Sequence, residues 1–400
     1  MLDAYIYNGL RTPFGRNAGA LSKVRPDDML GGVIRAVVDA SSFADDSIDD
    51  VIVGCGNQAG EDSRCVARHA LLRAGLPIEV PGAVMQRNCG SGMNAIIGAA
   101  HAITCGEGDV IVAGGVESMT RAPFVVGKAE SPYAKQLVSY DSALGARFPN
   151  PAIEKEYGAH NMPETADNLA SDFQLSREDC DKFAFGSQAK YAAAKAAGFF
   201  DDEIQSVTVP GGRKAPDTVV DQDEFPRPGT PLEKLATMRT LNEGGVTTAA
   251  NASGLNDGAA AVMVASLAAG ESAGAKPMAR ILSSGVAGVA PRIMGYGPVP
   301  AAEIALKRAG LTMADMDVIE INEAFAAQVL ACLKGMDIAF DDSRVNPNGG
   351  AITIGHPLGA SGTRISLTAA RQLHRTGGRY ALVSMCIGIG QGIAMVMERT

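Results

Sequence analysis

The sequence predicts an α/β protein made of two similar layered α/β domains, with a loop domain inserted into the first. Three observations predict this. Short apolar runs alternate with helix-like stretches in both halves of the 400-residue chain. The order of those elements recurs at a nearly constant offset. A stretch between the halves loses the alternation and fills with charges, prolines and aromatics.

In chain order, Ala4-Tyr5-Ile6-Tyr7 predicts a first strand, residues 11–28 a polar loop and Met29 to Ala40 an amphipathic helix. Asp50-Val51-Ile52-Val53-Gly54 predicts a strand, Arg64 to Ala74 a helix, and Pro81 to Met85 a short buried strand. A helix over Met93 to Ala100 and a strand over Gly108 to Gly115 follow. From about Arg121 to Gly245 only Arg177 to Ala197 has the pattern of a long helix. Gly258 to Val264 then supplies a strand that completes the first sheet. In the second half Asp317-Val318-Ile319 repeats Asp50-Val51-Ile52, while Ser361-Gly362, Ala369-Ala370 and Gly378 repeat Ser91-Gly92, Ala99-Ala100 and Gly108 at an offset of 270. The expected division is residues 1–120 plus 246–275, an inserted loop domain at 121–245, and a second domain at 276–400.

A chain with 46% hydrophobic residues has ample apolar material for large cores. Its net charge of -9 argues against a nucleic-acid backbone partner. Seven cysteines with no C-x-x-C pair point to reduced thiols and a cytoplasmic setting. The N-terminus lacks the layout of a signal peptide, and no apolar run is long enough for a membrane span. Five scattered histidines show no paired metal-ligand spacing, and neither a P-loop nor a dinucleotide fingerprint is present.

The chemistry is expected around Arg87-Asn88-Cys89-Gly90-Ser91-Gly92, where a thiol falls between a strand and a helix. At a helix N-terminus, unpaired N–H groups and the dipole favour the thiolate, so a lowered thiol pKa is expected for Cys89. The plain alternative is a buried cysteine beside glycines that serve tight geometry. By the repeat, Gly355-His356-Pro357 takes the corresponding place in the second domain, so the two loops face one cleft. Asn322, His356 and Cys386 are further candidates. Their alternatives are a helix N-cap, a loop residue bonded to backbone, and a small residue of a buried strand.

Taken together, RNCGSG at 87–92, NEAFA at 322–326, GGAITIGHPLGASG at 349–362 and SMCIGIGQG at 384–392 resemble the thiolase family in their order. Arg11-Thr12-Pro13-Phe14-Gly15, Gly114 to Met119 and Asn251 to Gly258 extend the resemblance over essentially the whole chain. It implies a layered αβαβα fold and a role for each matched residue. Cys89 is the implied nucleophile carrying the acyl group, His356 the acceptor of its proton, and Cys386 the general acid and base at the substrate α-carbon. His356 and a water held by Asn322 would form one oxyanion hole. The backbone N–H groups of Cys89 and Gly388 would form the other.

The resemblance further implies that coenzyme A, as a substrate rather than a tightly bound cofactor, lies over the loop domain. Met162, Arg227 and Ser253 match positions that contact it, and Met294 matches an acyl-pocket position. Arg227 alternatively is a solvated loop charge, and Met294 simply core. Two departures stand out: Asn88 replaces a usually apolar residue, and Asn161 replaces a histidine of some biosynthetic members. Residues 56–64, 121–130 and 162–167 are most similar to the 3-oxoadipyl-CoA thiolases of aromatic-compound breakdown. Cleavage of a 3-oxoacyl-CoA to acetyl-CoA and a shortened acyl-CoA, in a homotetramer or a dimer, is the implied activity. Alternatives are an acetyl-CoA acetyltransferase, a fatty-acid β-oxidation thiolase, a catalytically silent CoA-binding protein, and a redox protein pairing Cys89 with Cys386.

Overall fold

A computed structural model describes residues 2–213 and 215–400. In the first half the strands are β1 (Ala4–Arg11), β2 (Asp50–Gly54), β3 (Gly82–Met85), β4 (Val110–Ser118) and β5 (Asn256–Ala265). The second half contributes β6 (Ala279–Gly288), β7 (Val318–Ile321), β8 (Tyr380–Ile387) and β9 (Gln391–Arg399). Helices α1 (Pro26–Asp39), α2 (Val66–Arg73) and α3 (Ser91–Cys105) connect the first strands, and α4 (Met162–Asp172) and α5 (Arg177–Ala196) lie in the inserted stretch. The second half adds α6 (Pro298–Ala309), α7 (Ala326–Gly335) and α8 (Leu358–Thr376). Pro26 opens α1 at a position whose N–H has no helical partner, with Asp27 and Asp28 in the favourable first turn.

The duplication is visible as topology. The first half orders its strands β3-β2-β4-β5-β1, and the second orders them β7-β8-β9-β6. Val345 stands in for β3 through a single parallel bridge to Ile319. In both halves the outer pairs, toward the sheet edges at β3 and β7, are parallel, and the pairs toward β1 or β6 are antiparallel. Ala4–Ile6 of β1 pairs with Ala279–Ile281 of β6, so the halves share one continuous sheet.

Alternating side chains on that sheet feed separate cores. One face of the first half packs on α1 and α2 through Leu30, Ile34, Val66 and Leu71. One face of the second packs on α6 and α7, with Leu169 and Ala184 of the inserted helices joining that core. The remaining faces of both halves close over α3 and α8, through Met93, Ile96, Ile365 and Leu367. The result is five layers with α3 and α8 in the middle. Gly92 and Gly362 make that middle layer possible. A Cβ on Gly92 would press into the Gly359 carbonyl, and one on Gly362 would lie 2.8 Å from Met93 Cβ.

The structure corrects three sequence expectations. The acidic residue equivalent to Asp317 is Asp49, not Asp50. Asp317 Oδ2 accepts the N–H groups of Arg379 and Tyr380, as Asp49 Oδ2 accepts those of Asp109 and Val110. The shared tripeptide is therefore one residue out of register. Arg11 is not part of a polar loop: it ends β1, wholly buried, and its guanidinium meets Glu203 and Asp223. The inserted stretch holds a second substantial helix, α4, started by a capping box between Asn161 and Glu164. Among the described residues no helix is long and apolar enough to cross a membrane.

Candidate active site

Cys89 lies in the tight turn between β3 and α3, and His356 immediately before α8. Both are three residues upstream of the point where the middle helices touch, at Gly92 and Gly359. The helix crossing therefore brings the Cys89 turn and the His356 loop to the same end of the middle layer. Asn88, with φ of 44°, turns the chain there, in the left-handed conformation that asparagine tolerates better than most residues. Ser91 locks the turn, its Oγ donating to Asn88 O at 2.6 Å and accepting the Arg87 N–H at 2.9 Å.

The expected low pKa of Cys89 is not found. Burial of the thiol pushes it up to about 11, while a hydrogen bond from the Gly388 N–H pulls in the opposite direction. The helix terminus does not outweigh desolvation. Cys386, at the end of β8, is buried, and burial pushes its thiol well above the usual range, with Cys89 and Cys332 adding to the effect. Ile387, which follows it, would lie 2.7 Å from a Cβ on Gly90. The loop carrying Gly388 thus sits directly on the Cys89 turn. All seven cysteines are free thiols.

His356 is held at three points. Its N–H donates to Asn256 Oδ1 at 2.9 Å, its Nδ1 lies 2.6 Å from Ser361 Oγ, and Asn322 Nδ2 lies 3.4 Å from its Nε2. Ser361 Oγ donates to the Pro357 carbonyl at 2.8 Å, so it accepts from Nδ1–H and leaves the lone pair on Nε2. Burial first, and the Arg364 charge second, lower the imidazole pKa to about 3. Thiol and imidazole therefore rest as a neutral pair, with Nε2 ready to accept a proton.

Asn322 is not a helix N-cap. Helix α7 starts at Ala326 with Phe325 at the cap position, and the Asn322 Oδ1 is buried with no hydrogen-bond partner. Its neighbour Glu323 instead ties the loop to Asn346, Ser187 and the Ile352 N–H. Met162, at the first position of α4 and 39% exposed, reaches the same opening: its Sδ lies 3.9 Å from a Cβ placed on Gly388. Ser253 joins the Asn322 loop through its N–H to Ala324 O at 2.9 Å. Arg227 is exposed, its guanidinium 5.8 Å from the Phe225 ring centre. Met294 is buried in the same core as Cys386 and Cys332.

Several supporting residues carry no signal at short range. Glu117 accepts the N–H groups of Gly56, Asn57 and Gly359, each at 2.9 Å, and so anchors the start of α8. Burial pushes its carboxyl up to about 7. With Cys55 and Asp62 it forms a cluster of metal-ligand type, but these contacts already engage its oxygens. Asn256, Ser361 and Arg364 likewise act on His356 from positions chosen for other reasons or not singled out at all. Ser361, Asn256 and Glu117 fall inside motifs that carry the resemblance but without a role of their own, and Arg364 falls outside them.

Comparison with known proteins agrees with the geometry. The thiolase N-terminal domain family matches residues 4–268, and the thiolase C-terminal domain family matches residues 275–399. The chain is 52% identical over 401 aligned residues to a beta-ketoadipyl-CoA thiolase of Acinetobacter baylyi, covering 100% of both. It is 51% identical over 401 residues to the 3-oxoadipyl-CoA/3-oxo-5,6-dehydrosuberyl-CoA thiolase of Escherichia coli, again covering 100% of both. The crystal structure of human mitochondrial 3-ketoacyl-CoA thiolase superposes with a TM-score of 0.92 at 39% identity, over 100% of this chain and 99% of that one. Matched in both halves, in order and along its whole length, the chain belongs to the thiolase family.

Proposed function

We propose that the protein cleaves 3-oxoadipyl-CoA with free coenzyme A, giving acetyl-CoA and succinyl-CoA. The observation that carries the chemistry is the convergence of the Cys89 turn, the Gly388 loop and His356, its Nδ1 held by Ser361, at the crossing of the two middle helices. The names of the two bacterial relatives support the substrate.

Cys89 attacks the C3 carbonyl and its proton passes to His356 Nε2. The alkoxide is stabilised by the N–H groups of Cys89 and Gly388, an arrangement worth about 3–4 kcal/mol per donor in acyl transfer. The C2–C3 bond breaks, leaving succinyl-Cys89 and the enolate of acetyl-CoA, which takes the Cys386 proton. The unpartnered Asn322 Oδ1 is suited to hold the water that, with His356, faces the enolate oxygen. CoA then gives its thiol proton to Cys386 and displaces Cys89, which recovers the proton from His356. The high resting pKa of both cysteines suits proton carriers that are thiols between steps.

In this reading CoA is a substrate, no cofactor is bound tightly, and the segment 121–245 together with Ser253 carries the CoA contacts. The exposed position of Met162 beside Gly388 and the exposed guanidinium of Arg227 support that placement. Met294 belongs to the packing behind the acyl site. Seven free thiols support a reducing, cytoplasmic location. A hairpin pairing Phe124–Val126 with Ser139–Asp141 exposes Phe124 and Leu137, each at 75%, which supports assembly into a homotetramer, with a dimer as the smaller option.

The test is cleavage of 3-oxoadipyl-CoA and acetoacetyl-CoA side by side, with Cys89→Ala and Cys386→Ala. Faster cleavage of 3-oxoadipyl-CoA, lost in both variants, is expected, with acylation of Cys89 by acetyl-CoA slowed in Cys386→Ala and absent in Cys89→Ala. Preference for acetoacetyl-CoA would overturn the substrate, and CoA binding with no acylation of Cys89 would overturn the chemistry.

A further inference from the structure

We propose that Asn88 is a positioning residue that holds Gly388 in register with the nucleophile, so that the Gly388 N–H meets the acyl oxygen. The inference rests on the acyl-Cys89 reading above. The resemblance to thiolases leads one to expect an apolar side chain before the nucleophile, and a simple polarity change in the acyl pocket from its replacement. The structure gives the amide a different task.

Asn88 Nδ2 donates to the Gly388 carbonyl at 3.3 Å, while the N–H of the same glycine acts on the Cys89 thiol and lowers its pKa. Residue 388 thus faces two adjacent residues of the other half of the molecule, and the Asn88 amide holds its carbonyl end. Asn88 Oδ1 in turn accepts from Gln86 Nε2 at 3.2 Å, and the same nitrogen lies 3.4 Å from Gly56 O. A line of side-chain amides therefore runs from the Gly56 loop, past the nucleophile, to the Gly388 loop.

The grip has something to hold against. After Gly388 the chain passes through two consecutive left-handed residues, Ile389 at φ 71° and Gly390 at φ 83°, before β9 begins. A β-branched residue in that region is strained, and Ile389 is 69% exposed, so packing does not fix it. A backbone bond from the Val289 N–H to Gly390 O at 2.8 Å anchors the far end of the turn. Among the described residues, the Asn88 amide makes the one side-chain hydrogen bond to the Gly388 carbonyl. Preorganised donors are effective only when placed before charge develops, so a loosened Gly388 penalises acyl transfer and leaves simple thiol reactivity alone.

The experiment compares two reactions of Cys89: acetylation by acetyl-CoA, which needs the oxyanion donors, and alkylation by iodoacetamide, which does not. Asn88→Gly keeps the left-handed backbone without strain and removes the amide. Its acetylation is expected to slow by about tenfold, less than the 10²–10³ of a deleted donor, with alkylation within about twofold of wild type by the same reasoning. Gln86→Ala, which frees Asn88 Oδ1 but leaves its donor in place, is expected to shift the ratio in the same direction by a smaller factor. Unchanged acetylation in Asn88→Gly, or an equal slowing of both reactions, overturns the inference. A wild-type protein that is never acetylated overturns the acyl-Cys89 reading and this inference with it.

Discussion

Replacing Arg11 with methionine removes a fully buried guanidinium that joins β1 to the inserted segment. Its Nε donates to Glu203 at 2.5 Å, Nη1 and Nη2 donate to Asp223 at 2.6 and 3.0 Å, and Nη1 also reaches Thr12 O at 3.2 Å. Methionine fills much of the stem volume but offers no donor, so both carboxylates remain buried. Their fates differ. Asp223 still receives the Phe14 N–H at 2.8 Å and the Tyr191 hydroxyl at 3.2 Å, whereas Glu203 keeps the Thr368 hydroxyl at 3.3 Å. Breaking a buried ion pair from one side costs about 3–5 kcal/mol, and the remaining donors put the larger share on Glu203. Adding Glu203→Gln to the variant is therefore expected to return about 1–2 kcal/mol, and adding Asp223→Asn less. Urea unfolding reads these as midpoint shifts at constant slope. Limited proteolysis between residues 121 and 245 should accelerate, because two of the three charges come from that segment. A loss below about 1 kcal/mol, within the range of ordinary substitutions, or a deeper loss on adding Glu203→Gln, would refute the reasoning.

Four further outcomes are expected. Because the His356 pKa is lowered to about 3 by burial and by Arg364, the base stays neutral at pH 5. Acetylation of Cys89 followed by mass spectrometry should therefore show no acid limb near pH 6.5. The same shift has a stability consequence: the unfolded imidazole gains a proton below about 6.5 that the folded one refuses until about 3, so the His356 contribution is lost as pH falls through that window. Comparing urea midpoints of wild type and His356→Gln at pH 7 and pH 5 checks the sign. Gly362→Ala forces a methyl against Met93 and is expected to cost about 1–3 kcal/mol, where an unchanged urea midpoint would show that α3 and α8 can separate cheaply. Phe124→Asp with Leu137→Asp should reduce the mass seen by light scattering if the apolar hairpin joins subunits, and an unchanged mass removes the hairpin from the interface.

The elements that were legible in the sequence are those whose cause is local. Alternating apolar runs gave β2, β4 and β5 nearly to their ends, because a buried strand leaves its pattern in a few consecutive residues. The repeat offset of 270 was right for the helices and for Gly108 and Gly378, whose surroundings beside Asp49 and Asp317 correspond. It failed by one residue where a shared tripeptide was trusted over hydrogen-bonding position. Helix α4 escapes the pattern although Asn161 and Glu164 spell out its cap, since it lies in a stretch whose charges, prolines and aromatics break the apolar periodicity. Arg11 was misplaced for the opposite reason: its partners are more than 190 residues away, and nothing local distinguishes a buried arginine from a solvated one.

The site divides along the same line, with one instructive reversal. Cys89, His356 and Cys386 stand in motifs that announce themselves, but their protonation states depend on what closes around them. A helix N-terminus favours a thiolate only while the thiol is still solvated enough to hold charge; here Cys89 is half-buried against the middle layer, and desolvation is the larger effect on its thiol. The consequence is mechanistic. With the thiol high and the imidazole low, charge separation is costly in the resting site. In the proposed mechanism, proton transfer from Cys89 to His356 is then drawn forward by the substrate, whose developing oxyanion the Cys89 and Gly388 N–H groups would stabilise. Catalysis would thus depend less on an activated resting thiolate than on the accuracy with which the two halves present their donors. That accuracy rests on the crossing at Gly92 and Gly362 and on the Asn88 grip of Gly388, contacts no local motif can encode.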